Sequence, residues 1–138
     1  MQNISQLHPI LQRMVKDLIS ECHLNNIDIE ITECLRTEEE QDKLYEAGLS
    51  TYKGSDYNNI HQWGIAFNFA LRSENIDACN IDTTLDKIGE IGTDIGLDWY
   101  GNHKVNPTKF HFQLPDWGIT SLRLRRIYHT PENFFQTW

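Results

Sequence analysis

The sequence predicts an α+β domain, a small antiparallel sheet with helices packed on one side. Three observations carry this. Two segments, 27–34 and 64–71, alternate apolar and polar residues with period two. Two others, 4–24 and 83–95, carry apolar residues at helical spacing. The segments follow one another as α-β-α-β-α-β-α with short, hairpin-like strands.

The elements follow in order. Leu7, Ile10, Leu11, Met14, Val15, Leu18, Ile19 and Cys22 make one helical stripe. Pro9 sits early, where a helix tolerates it. Ile27, Ile29 and Ile31 alternate with Asp28, Glu30 and Thr32 in a strand. Thr37 caps a second helix, and Glu40 completes a capping box. That helix runs through Gln41, Leu44 and Tyr45 to Gly48, a C-terminal stop. Residues 49–60 have the Ser, Gly, Asp and Asn content of a loop. In 64–71, Ile65, Phe67, Phe69 and Leu71 face one way, and Ala66, Asn68 and Ala70 the other. The second face is small and polar, so something approaches it closely. Leu85, Ile88, Ile91 and Ile95 form the inner face of a helix that ends at Gly96. In 109–114, Phe110, Phe112 and Leu114 lie opposite His111 and Gln113. The tail, 118–138, holds one or two short helices, with Thr130-Pro131 as a helix start. Its aromatics Tyr128, Phe134, Phe135 and Trp138 cap the core or, in a structural or assembly protein of phage origin, form an interface.

The 138 residues fit a single domain, 1–138, able to bury roughly two-thirds of its unfolded surface without disulfides or metal. A formal charge of −8 disfavours nucleic acid and anionic membranes as partners. No stretch is long and apolar enough to span a membrane. The start, MQNISQLHPI, lacks a basic n-region and an apolar core, so no secretory signal is expected. Synthesis is expected in the cytoplasm, with a wall location only after export or phage release. Cys22, Cys34 and Cys79 are an odd set without CxxC spacing, which disfavours a disulfide framework or a cysteine zinc site.

Of the six histidines, His8, His23 and His129 sit in or beside helices without a constellation and read as surface or packing residues. His61 stands at a loop-to-strand junction, seven residues before Asn68, with Gly64 allowing a tight turn between them. His111 lies on the polar side of its strand. Two histidines on polar faces suggest a shared cleft.

Four segments resemble one family. Leu7-His8-Pro9 is similar to the start of its first helix. LRTEEEQDKLYEAG (35–48) resembles its Y-R-[ST]-x-x-x-Q-x-x-L-Y-x-x-G segment. HQWGIAFNF (61–69) resembles its metal motif S-x-H-x-x-G-x-A-x-D-F. IGLDWYGNHKVNPTKFHFQ (95–113) resembles G-L-x-W-G-G-x-W ending in D-x-P-H-F. The family is that of the zinc peptidases acting on bacterial cell-wall stem peptides. It comprises the D-alanyl-D-alanine carboxypeptidases and the L-alanyl-D-glutamate endopeptidases, phage endolysins among them. The resemblance covers about residues 5–115 and implies the hedgehog/D,D-peptidase type of α+β fold.

It further implies that His61 and His111 match the first and last zinc ligands. Arg36 matches the arginine that helps hold the substrate peptide, and Gln41 belongs to the same segment. Arg36 has a second reading, as a partner for a surface acid. The chain departs from the pattern where the chemistry is. Asn68 stands at the middle ligand, an aspartate in the family, and Thr108 at the catalytic carboxylate. Asn59 replaces a serine, Asn102 an acid and His103 a tryptophan, and the loop between Gly48 and His61 is a few residues short.

Zinc sites take Cys, His, Asp or Glu, and neutral Asn is a poor ligand. Thr cannot take a proton from a metal-bound water near neutral pH. The expectation is a peptidase-like domain that has lost hydrolysis. It would bind a peptidoglycan stem peptide, a wall fragment or a protein or peptide partner, with zinc bound weakly or not at all. The alternative is an active zinc peptidase with a rearranged site. There His103 would serve as substitute ligand, and Asp98, Asp116 or Asp56 as displaced base.

Overall fold

A computed structural model describes residues 3–72, 80–105, 107–115 and 120–138. Cys79, Asp116 and the first two residues of the tail segment lie outside them. The described elements are α1 (Pro9–Leu24), β1 (Ile29–Glu33), α2 (Glu38–Glu46), β2 (Ala66–Leu71), α3 (Ile81–Ile95), β3 (Asp98–Trp99), β4 (His111–Gln113), α4 (Ser121–Tyr128) and α5 (Pro131–Phe135). The strands form one antiparallel sheet in the order β1-β2-β4-β3. The architecture is the expected α+β. The two-residue β3 was not expected, because two residues show no periodicity.

Local chemistry sets the ends of these elements. A 3-10 turn over Ile4–Gln6 precedes α1, so the first helical stripe is interrupted before Pro9. The Thr37 hydroxyl accepts from the Glu40 amide at 3.1 Å, as the capping box requires. Thr130 caps α5, with Pro131 in its first turn. The segment read as loop, 49–60, contains a 3-10 turn over Gly54–Asp56, and a second begins at Ile60 and runs to Trp63.

The core joins Leu11, Val15 and Leu18 of α1, Ile29 and Ile31 of β1, Phe67 and Phe69 of β2, Ile88 of α3 and Phe112 of β4. Gly92 makes the α3–sheet contact possible, since a Cβ there would overlap the Phe112 ring. The alternation expected for 109–114 holds, with Phe110 and Phe112 both against Phe69. Phe110 precedes the paired residues and is 40% exposed, whereas His111 and Gln113 are buried. Both faces of β4 are covered, one by the apolar core and the other by the site.

Of the tail aromatics, Phe134 is buried in the core and Trp138 stays partly exposed. Phe134 stacks near His8 and Trp63, and Trp138 lies against His8, Phe134 and Phe135. A Cβ on Gly64, at φ +70°, would approach the Trp138 ring to 2.8 Å. Cys22 and Cys34 are buried free thiols. Among the described residues no helix is long and apolar enough to cross a membrane.

Candidate functional site

The register of β2 on β4 places Asn68 opposite His111. On the other edge of β2 a bulge lies in β1. Ile31 pairs with Phe69 but Glu33 pairs with Asn68, so two steps on β1 match one on β2. The extra residue reverses the alternation. Glu33 thereby leaves the core face of Ile29 and Ile31 and joins the polar face of Asn68 and His111.

His61 comes from the turn preceding β2. Asn59 caps that turn, its side-chain oxygen accepting from the His61 amide at 2.9 Å. The turn closes at Gly64 in the left-handed region, which brings the His61 ring against His111 with centroids 5.0 Å apart. Both rings are buried. Burial, with His111 and Arg36 as neighbouring groups, pushes the His61 pKa down to about 3, and burial lowers that of His111 as well. Both are neutral imidazoles at physiological pH.

A continuous polar relay runs through these residues. Asn68 donates from Nδ2 to Glu33 Oε2 at 3.1 Å, and its Oδ1 lies 2.9 Å from His111 Nδ1. Arg36 donates from Nε to Glu33 Oε1 at 2.6 Å and from Nη1 to Gln41 Oε1 at 2.9 Å. Gln41, fully buried, donates to the Ser50 hydroxyl and the Tyr52 carbonyl. At the far end His111 Nε2 lies 3.1 Å from the Gln113 side-chain amide. A neutral ring has one N–H. It donates that hydrogen to Asn68 at Nδ1 and accepts at Nε2, a donor that a half-turn of the Gln113 amide provides. Asn suits its place because an amide donates on one side and accepts on the other. A carboxylate would only accept.

His61, His111 and Thr108 share a cavity of about 640 Å³ with Asp98, Tyr100 and His103. Thr108 is held there by its amide, which donates to the Tyr100 carbonyl at 3.2 Å. His103 and Asp98 meet each other, Nε2 to Oδ1 at 2.9 Å. The His103 ring stacks on Tyr100 at 3.8 Å between centroids, and Tyr100 in turn lies 4.4 Å from His111. Asp56 does not reach this cavity. It lines a separate one beside Arg125 and Arg126. Arg36 lines a third, of about 90 Å³, and Gln41 sits behind it in the relay.

Sequence reasoning missed Glu33 and the Asp98–His103 pair. The position of Gln113 on the face of His111 was legible from their spacing of two, but its role was not.

No family model matches the chain. The peptidoglycan L-alanyl-D-glutamate endopeptidase CwlK of Bacillus subtilis (strain 168) is 31% identical over 118 residues, covering 72% of this chain and 68% of CwlK. The chain belongs to the family of cell-wall L-alanyl-D-glutamate endopeptidases and zinc D-alanyl-D-alanine carboxypeptidases. Solved structures of this family share the fold. The L-Ala D-Glu endopeptidase ChiX of Serratia marcescens superposes with a TM-score of 0.65 at 20% identity, over 82% of this chain and 84% of ChiX. The vancomycin-resistance D,D-pentapeptidase VanY, solved in complex with Zn(II), gives 0.59 at 11% identity, over 94% of this chain and 83% of VanY.

The donors of this family member do not fit zinc as they are arranged. Zinc needs lone pairs directed at one point, from Cys, His, Asp or Glu. Here His111 Nδ1 lies 2.9 Å from the Asn68 oxygen and its Nε2 3.1 Å from the Gln113 side chain, so both ring nitrogens face side chains and not a common point. The Asn68 oxygen accepts from His111. His103, the proposed substitute ligand, has Nε2 engaged by Asp98. Among the described residues, no three His, Cys, Asp or Glu side chains converge to hold a metal.

Proposed function

We propose that this chain is a cell-wall peptidase domain that has given up zinc hydrolysis and keeps its cleft to hold a fragment of peptidoglycan. The observation that supports this is the Glu33–Asn68–His111–Gln113 relay, which engages Asn68 and His111, two of the positions that match the family's metal ligands, with side-chain partners. Burying such groups without partners would cost about 1–3 kcal/mol each, so the relay is a stable alternative to a metal. Thr108 at the family's carboxylate position supports the same reading, because a hydroxyl with its ordinary pKa takes no proton from water near neutral pH. Asp98, the one described carboxylate lining the cavity, is paired with His103.

The test is metal content after purification without chelators, with a zinc titration and a stem-peptide cleavage assay on the same preparation. The expected result is no stoichiometric zinc at micromolar concentration and no cleavage. One zinc per chain accompanied by cleavage overturns the proposal and establishes a rearranged active site.

A further inference from the structure

The chemistry lining the cavity identifies its ligand more narrowly. None of the described residues lining it is a lysine or arginine, and the one carboxylate among them, Asp98, is paired with His103. Arg36, the guanidinium that would meet a peptide carboxylate, has only 12% of its side chain exposed and is engaged by Glu33 and Gln41. Arg125, which reaches the lining residue Asn58, is engaged there by its side-chain oxygen, and no described lysine or arginine lines the cavity to meet an acidic stem peptide or a free C-terminus.

It offers instead planar polar groups from Asn58, Asn59 and Gln113, and hydroxyls from Thr108 and Ser121. The stacked rings of Tyr100 and His103 form part of its wall. Side-chain amides both donate and accept, so they can bridge neighbouring hydroxyls. A ring wall takes the apolar face of a pyranose. A volume of about 640 Å³ matches a ligand of a few rings. We infer that the cleft binds a neutral carbohydrate, the amino-sugar chain of the wall polymer rather than its peptide. This rests on the reading of the cleft as a non-cutting peptidoglycan site.

The experiment is a titration of the intact chain followed by backbone amide NMR, with two probes run separately. One is N,N′,N″-triacetylchitotriose, a neutral amino-sugar trimer, and the other a stem tripeptide with free carboxylates. The expected result is saturable shifts from chitotriose at residues 58–61, 100–103 and 108–113, weakened at least tenfold in Tyr100→Ala. Asp98→Asn provides a second variant, expected to weaken binding should Tyr100→Ala fail to fold. The tripeptide is expected to leave these signals in place. Shifts from the tripeptide at equal or lower concentration overturn the inference, and so does the absence of shifts from chitotriose. The cleavage assay of the tripeptide is scored separately. Cleavage refutes the non-cutting reading, whereas a silent chitotriose titration without cleavage refutes only the choice of ligand.

Discussion

Replacing Asn68 by aspartate would restore the family's ligand in name, and the structure predicts that it destabilises the metal-free protein. The Asn68 amide nitrogen lies 3.1 Å from Glu33 Oε2. In Asn68→Asp that contact joins two carboxylate oxygens. The lost hydrogen bond to a charged acceptor removes roughly 1.5–3 kcal/mol. Two charges at that separation repel by about 5 kcal/mol at an effective dielectric of 20, before the side chains move apart. A proton taken up by His111 would recover part of this by pairing with the new carboxylate. The net loss expected is about 2–4 kcal/mol at pH 8, read as a fall in the urea midpoint with chelator present. The same change in a Glu33→Gln background should cost about 2 kcal/mol less, a coupling that a double-mutant cycle isolates. An Asn68→Asp protein as stable as the parent at pH 8, with no coupling to Glu33, would refute the relay as the organiser of this site.

Three further predictions test the site and its supports. The folded pKa of His61 lies well below the unfolded value of 6.5, so the unfolded chain binds the extra proton as pH falls. Stability should therefore be full above about pH 6.5 and decline toward pH 3, with His61 alone accounting for roughly 2–3 kcal/mol at pH 4.5. Urea midpoints at pH 7.5 and 4.5, compared with His61→Asn, check this, and equal losses in both proteins would refute it. Arg36→Met removes the charge partner of the largely buried Glu33 and should cost about 2–4 kcal/mol in thermal unfolding without ligand. An arginine serving only to hold substrate would leave that stability unchanged. Gly64→Ala combines a left-handed backbone with the Trp138 ring and should cost at least about 1 kcal/mol and alter tryptophan emission, and an unchanged spectrum would place Trp138 elsewhere.

The sequence by itself determined the elements and their order. Periodicity marked α1, β1, β2 and α3, and side-chain caps at Thr37 and Thr130 set the starts of α2 and α5, because those signals act within one or two turns of chain. Four motifs in order named the family, and Asn68 and Thr108 marked where the chain departs from its pattern. The tertiary structure decided what stands where a metal would be. Nothing in the alternation of β1 singled out Glu33, and only the pairing of β1 on β2, through its bulge, turned it to face Asn68. Asn68 meets Glu33 across 35 positions and His111 across 43, while His103 finds Asp98. Local sequence announces that such polar residues exist, but the partner each one takes is fixed by register and burial, which belong to the whole fold.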